Sequence, residues 1–335
     1  MTKISEADLY GTGKSEVALE NSHLKVIVSP HLGGRIVDVK SDAGQFLYTT
    51  YPEGNPSGFY SEYGGIEEFL DRPPGYLWRQ AWQHKIESDE VSLCIKRDNI
   101  FLEKRVSLDE AAPIVKIEYS ILNTGPNLIR PAFGIHPEIC IGNDAALNNY
   151  HIPTGQDILS GGCEQTKKRY VHPSQGWCAC TGEKSLVAML FPDKLLDGVE
   201  VHYSPNDTHL NLSPLIYYVG LSPGNEARFT CAMYFGEGNV DSALELWKEY
   251  AGKLPSSYGS VSEDRLEMAR NFEAPKGMDI EMGTAESVER QLLLEKMERL
   301  AEQKDERMEI LNLLREKQIS AAEAVKRFKL MLVRQ

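Results

Sequence analysis

The sequence predicts a mainly β protein: a large antiparallel β-sandwich with an α-helical extension at its C-terminal end. Three observations predict it. Between about Ser15 and Phe235, short β-rich runs follow one another, bounded by Gly, Pro, Asn and Asp turn clusters. No strand-then-helix alternation interrupts them, which argues against a parallel doubly wound sheet and for stacked antiparallel sheets. After Gly236 the spacing of apolar residues becomes helical.

The first strands read from VALENSHLKVIVSP and RIVDVKSD, joined by the turn Pro30-His31-Leu32-Gly33-Gly34. SLCIKRDNIFLEKRVSLDE and PIVKIEYSILNTG follow, and Val115, Ile117, Tyr119 and Ile121 alternate with polar residues, the period of a half-buried strand. LVAMLF continues the series, with further turn signals at Ser160-Gly161-Gly162 and Ser222-Pro223-Gly224-Asn225. A helix is expected from Asp241, read as its N-cap, to Gly252, read as its stop. These elements give a sandwich with a closing helix over residues 1–253. Residues 254–282, with Pro255, Pro275 and a helical pattern around Ser262–Phe272, read as a linker or arm laid across it.

Residues 283–335 read as a helical tail. Leu293, Met297 and Leu300 form an apolar seam that breaks near Asp305. Met308, Leu311 and Leu314 form a second seam. Ser320 and Glu323 make a capping-box pattern ahead of a last helix carrying Val325, Phe328 and Leu332. The segment ILNLLREKQISAAEAVKRF resembles the short C-terminal helical hairpins of the SHOCT type. That resemblance implies self-association or docking; an amphipathic hairpin packed on its own domain fits the pattern equally.

Composition bounds the function. The 335 residues include 36 Lys/Arg and 49 Asp/Glu, a formal charge of −13. Residues 283–335 hold 11 of the basic and 10 of the acidic residues, so the first 282 carry 25 against 39, or −14. Such acidity repels nucleic-acid backbones and anionic membranes, which leaves a metabolite-sized ligand as the expected partner. No run of about 18 apolar residues is present, and MTKISEADLYGTGKSE has no signal-peptide core, so a cytoplasmic protein with reduced thiols is expected.

Several motifs can be weighed on their spacing. Gly11-Thr-Gly-Lys-Ser15 matches the end of a phosphate loop, but Asp8 stands where the pattern needs glycine, and a strand follows rather than a helix. Cys178-Ala-Cys180, with Cys163 and His172 nearby, lacks zinc spacing, so buried thiols and no metal are expected. The segment Phe133-Gly-Ile-His136-Pro-Glu138 is the best candidate for proton chemistry. On an extended chain Glu138 shares a face with His136, and a carboxylate near a histidine can tune it as a general acid. A histidine at a strand end that hydrogen-bonds a carbonyl is the plainer alternative. The stretch from Tyr63 to Trp82 mixes aromatics, Glu67, Glu68, Arg72, Trp78 and Arg79. That combination suits sugars, whose C–H faces stack on rings while charged groups take hydroxyls, although a surface loop with ordinary ion pairs has the same composition.

The order of these motifs resembles the galactose mutarotase-like superfamily, which includes the aldose 1-epimerases. The opening LENSHLKVIVSPHLGGRIVDVKSDAGQFLY resembles that family's first strands and Gly-Gly-Arg turn. Phe133-Gly-Ile-His136-Pro resembles its Gly-x-His-Pro motif, and Val201–Tyr234 resembles its closing strands. The resemblance covers about residues 15–236. It implies a large antiparallel sandwich with a sugar site on one face, and anomer interconversion without a cofactor. A His gives a proton to the ring oxygen while a Glu takes one from the C1 hydroxyl. His136 matches the acid. The family's base lies in a Glu-Pro pair that reads Ser213-Pro214 here, and Ser cannot serve as a free base at neutral pH. A second family His falls near Pro74-Gly75, ahead of Arg79 and Trp82, and is also absent. The sequence therefore supports a carbohydrate-binding protein in which His136 is the acid and Glu67 or Glu68 the base, with Glu138 a further candidate for that role. Arg72, Arg79, Trp78, Glu138 and His202 are expected to line the site. The alternatives are sugar binding without turnover, and a scaffold whose tail drives assembly.

Overall fold

The computed structural model describes residues 1–273 and 275, apart from 58–59, 71–76, 78–79, 156, 163–167, 204–208 and 218–219. Residues 1–56 and 61–280 form the unit that carries the fold. The tail expected over residues 283–335 lies outside the described residues, as do Arg72, Trp78 and Arg79.

In chain order the first strands are β1 (Lys3–Ala7), β2 (Glu16–Glu20), β3 (Lys25–Ser29), β4 (Arg35–Ser41), β5 (Gly44–Gln45), β6 (Asn55–Ser57), β7 (Tyr60–Glu62) and β8 (Ile66–Leu70). They are followed by β9 (Gln83–Ile86), β10 (Glu90–Arg97), β11 (Ile100–Leu108), β12 (Ile114–Asn123), β13 (Ala132–Ile139), β14 (Asn149–Thr154) and β15 (Asp157–Gly162). The last are β16 (Arg169–Val171), β17 (Trp177–Thr181), β18 (Ser185–Leu190), β19 (Gly198–His202), β20 (Leu210–Tyr217), β21 (Asn225–Glu237) and β22 (Ser256–Ser260).

Two antiparallel sheets make the sandwich. The first runs β1-β2-β3-β4-β8-β13-β20-β19-β16, with β5 beside β4; the second runs β15-β14-β17-β18-β21-β12-β11-β10-β9, with β22 beside β21. Alternation decides which side chains meet between them. Val115, Ile117, Tyr119 and Ile121 of β12 join Ile66 and Leu70 of β8 and Phe133, Ile135 and Ile139 of β13 in one buried cluster. A charged pair crosses this interior. Lys104 of β11 reaches Glu68 of β8 at 2.6 Å, and neither side chain is exposed.

The outer face of the second sheet is covered by two helices. Helix α1 (Val240–Tyr250) lays Ala243 and Trp247 on Trp177, Leu186, Ala188 and Leu190. Its N-cap is Asn239 rather than Asp241: Asn239 and Ser242 form a reciprocal capping box, and Asp241 sits in the first turn, where a negative charge favours the helix dipole. Gly252 follows the helix at φ +79, the conformation expected of its stop. The segment expected as a linker or arm supplies β22 and helix α2 (Glu263–Arg270), which packs Leu266 and Ala269 on Phe101 and Leu122.

Arg265 fastens α2. Its guanidinium donates to Glu103 at 2.7 Å and to Glu226 at 2.8 Å, and it lies over the Phe101 ring. Burial alone would raise the Glu226 pKa, but hydrogen bonds from Arg228, Ser120 and Arg265 more than offset it, so the folded value lies below 4.5. A depressed carboxylate contributes stability that is complete above its unfolded pKa and is lost as pH falls through the folded one. Arg265→Met is expected to lower stability by about 2 kcal/mol at pH 7. The gap from wild type should narrow below about pH 4, read from urea midpoints across pH 3–7.

Two motifs resolve structurally. Asp8 itself accepts the backbone N–H groups of Thr12 and Gly13, each at 2.8 Å, so Gly11–Ser15 is a closed loop between β1 and β2 and not a phosphate cradle. Cys178 and Cys180 are buried core residues of β17. Among the described residues no group of His, Cys, Asp and Glu could hold a metal ion, and no helix is long and apolar enough to cross a membrane.

Candidate functional site

The outer face of the first sheet carries one continuous row of polar side chains. Strand β3 pairs Ser29 with Arg35 of β4. The β4–β8 register, set by Ile36 opposite Ile66, puts Arg35 beside Glu67. Glu67 pairs with His136. The β13–β20 register, bounded by Gly134 opposite Leu215 and Glu138 opposite Asn211, puts His136 opposite Ser213. Ser213 pairs with Glu200, and Glu200 with Tyr170. Each of these residues has a strand neighbour in the buried cluster, so by alternation the row faces away from the second sheet.

Two prolines shape the centre of the row. Pro137 follows His136 and Pro214 follows Ser213. A proline holds the residue before it extended and removes one ladder N–H. Both polar side chains are thereby fixed on neighbouring strands, with His136 Nδ1 and Ser213 Oγ 2.9 Å apart. On the other flank, Arg35 donates from Nη1 to Gly64 O at 2.6 Å and from Nη2 to the Glu67 carboxylate. Arg35 is buried, whereas Glu67 and His136 are half-buried and reachable from outside. Gly65 makes this arrangement possible: it sits at φ +88, and a Cβ there would meet Ile36 O at 2.3 Å. That close approach brings β8 against β4.

A second polar group lies two residues along β13. Glu138 is buried on the same face as His136 and lies 3.6 Å from His209 Nε2. The His209 ring stacks on Tyr48 at 4.9 Å between centroids. Burial, with His202 close by, lowers the His209 pKa to about 4, so at neutral pH Glu138 meets a neutral imidazole. His202 is half-buried on β19, opposite Asn211.

The structure thus brings His136, Glu67, Glu138 and His202 to one face. It does not bring Glu68 there: Glu68 points between the sheets, where Lys104 and Tyr119 hold it. The strand Ile66-Glu-Glu-Phe-Leu70 carries the signal for this, because Ile66 and Leu70 share the phase of Glu68 and mark it as inward. Trp82, part of the aromatic stretch, is a core residue whose ring covers Gly34; a Cβ on Gly34 would lie 2.8 Å from it. Sequence reasoning missed Arg35 and Glu200 as members of this face. Arg35 closes the Gly33-Gly34-Arg35 turn, but only the β4–β8 register shows that it meets Glu67.

No family model matches the chain, and no curated protein does. Solved structures do. The galactose mutarotase-like protein of Clostridium acetobutylicum superposes with a TM-score of 0.54 at 10% identity, over 71% of this chain and 99% of its own. The galactose mutarotase related enzyme of Lactobacillus acidophilus gives 0.51 at 14% identity, over 66% and 97%. Slr1438 of Synechocystis sp. PCC 6803 gives 0.53 at 14% identity, over 71% and 96%. At these identities the likeness is one of fold: the chain is a sandwich of the galactose mutarotase-like type, with its polar row on the outer face of the first sheet.

Proposed function

We propose that the protein binds a carbohydrate on the outer face of the first sheet and interconverts its anomers. The observation that carries this is the run Arg35–Glu67–His136–Ser213 across four neighbouring strands. Anomer interconversion needs an acid at the ring oxygen and a base at the C1 hydroxyl, two oxygens bonded to the same carbon. Neighbouring strands lie about 4.8 Å apart, so side chains at one register can flank that carbon together. His136 is the acid. In the protonated ring Nδ1–H donates to Ser213 Oγ, and the Nε2 proton is the one given to the sugar. Glu67, on the opposite flank of His136 from Ser213, is the base, and Arg35 orients it. Galactose 1-epimerase from Lactobacillus acidophilus NCFM has the same fold, with a TM-score of 0.50 at 12% identity over 71% of this chain, which agrees with this reading.

Proton NMR of anomer exchange tests it, using freshly dissolved α-glucose, α-galactose and their acidic and phosphorylated relatives. Acceleration of at least one sugar is expected. Glu67→Gln should lower it about 10²-fold or more, the usual effect of losing a general base. Sugar binding without acceleration would remove the enzyme and leave the binding protein. The Ser213 that stands in place of a base, and the Arg35 that pairs with Glu67, are the observations favouring that second reading.

A further inference from the structure

We propose that the protein has a second sugar subsite at the β2–β4 end of the polar row, formed by Tyr10, Tyr51 and Tyr63, so that its ligand is a disaccharide or longer oligosaccharide. The proposal rests on the carbohydrate reading above and deepens it.

The row is long. From Ser29 on β3 to Tyr170 on β16 it crosses the sheet through β4, β8, β13, β20 and β19. At about 4.8 Å per strand it spans close to 30 Å, several times the width of one sugar ring. His136 and Glu67 account only for its middle.

At the β2–β4 end the outer face changes character. Tyr10, Tyr51 and Tyr63 gather over Ile27, Leu32 and Val37 in an apolar cluster separate from the sandwich core, and all three rings are half-buried. Tyr10 and Tyr51 meet edge to face at 4.8 Å, and Tyr51 and Tyr63 are tilted at 6.2 Å. Rings set at angles make a corner rather than a closed stack, and a corner of aromatic edges and faces receives the C–H surface of a pyranose.

The corner is held from beneath. Tyr51 donates its hydroxyl to the buried Glu16 carboxylate, and His31 Nε2 lies 3.0 Å from the same hydroxyl. Glu16 also accepts the N–H of Leu9 at 2.9 Å, which, with the Asp8 turn, pins both flanks of the loop bearing Tyr10. A binding surface whose rings are already immobilised loses little entropy when a ligand arrives.

Two polar atoms at this end point to a hydroxylated ligand. Arg35 Nε and Asp38 Oδ1 are both buried, and neither has a hydrogen-bond partner among the described residues. Their residues are 3% and 4% exposed. Both lie on the outer face of β4, where Arg35 is opposite Ser29 and Asp38 opposite Ile27 of the tyrosine cluster. One is a donor and the other an acceptor, the two roles that the hydroxyls of a sugar can fill. Arg35 also holds Glu67, so the second subsite adjoins the first without a gap.

Isothermal titration of the full chain tests this, with glucose against maltose and cellobiose, and galactose against lactose. At least one disaccharide should bind about tenfold more tightly than its own monosaccharide, the scale of one added aromatic contact with hydrogen bonds. In Tyr10→Ala that ratio should fall to near one, and Tyr63→Ala repeats the test from the other side of the corner, each variant first shown to be folded by its thermal midpoint. Monosaccharide binding with a ratio near one in the wild type overturns the subsite and leaves the carbohydrate reading standing. A disaccharide preference that survives both variants overturns it too, since the gain then arises elsewhere. Binding of neither member of any pair overturns the subsite, and the anomer-exchange panel with its acidic and phosphorylated sugars then decides the carbohydrate reading.

Discussion

Lys104→Met is expected to lower the free energy of unfolding by about 3–5 kcal/mol, the cost of stranding a buried charge. Lys104 Nζ donates to Glu68 Oε1 at 2.6 Å and to Gly34 O at 3.0 Å, and the Tyr119 hydroxyl donates to the same Glu68 oxygen at 2.6 Å. Neither Lys104 nor Glu68 exposes any side-chain surface. Burial, with Glu68 beside it, raises the Tyr119 pKa well above 10, so Tyr119 stays a neutral hydroxyl and leaves Glu68 with no counter-charge. Methionine has nearly the length of lysine and fills its space, so the loss isolates the electrostatic part. The double change Lys104→Met with Glu68→Leu should recover most of the stability, because a buried ion pair replaced by apolar groups is often neutral or better. Urea midpoints of the three proteins decide it. A single variant within 1 kcal/mol of wild type would mean that water reaches Glu68 and the interior is not dry.

The second large effect is on rate. His136→Ala should return anomer exchange to the spontaneous rate, a loss of about 10²–10⁴-fold. The stability change should be small by comparison, since His136 is half-buried and hydrogen-bonds Ser213 on the outer face of the sheet. A histidine acid also has a pH signature. Acceleration should fall as pH rises through the pKa of the bound ring, because the proton to be given is then gone. Ser213→Ala separates positioning from proton transfer. It removes only the group at Nδ1, so it should reduce the rate less than His136→Ala and shift the falling limb of the pH profile. An exchange rate untouched by His136→Ala would move the chemistry to another residue of the row.

Much of this architecture was legible in the chain, and the reasons are physical. Period-2 alternation in Val115–Ile121 and the density of turn residues determine a two-layer antiparallel protein, because a strand with one apolar face must bury it. His136 stood out because Pro137 and Glu138 give it a fixed backbone and a neighbour on its own face. Glu67 and Glu68 were both candidates; the apolar phase of Ile66 and Leu70 separates them, and Lys104 completes the answer from a strand of the other sheet. The partners of the site were harder to read. Ser213 is 77 residues from His136 and Arg35 is 32 from Glu67. A register is settled by which strands pair, and local sequence carries little of that information. The N-cap of α1 was misread by two positions because Asn239 and Asp241 are both good caps; the reciprocal bond to Ser242 selects Asn239.

The polar row takes its members from β3, β4, β8, β13, β20, β19 and β16, so no stretch of chain contains the site. A fragment that ends before Leu210 lacks Ser213, and one that begins after Leu70 lacks Arg35 and Glu67. The site therefore forms only when the whole sheet has closed, and it disappears when any of those pairings opens. Local fraying that spares the row leaves it intact, while the row itself opens only with the sheet. A bound ligand accordingly acts as a tie across every strand it touches: backbone amides from β4 to β20 should slow their hydrogen exchange together, as one cooperative unit, by the full factor that ligand concentration over dissociation constant allows.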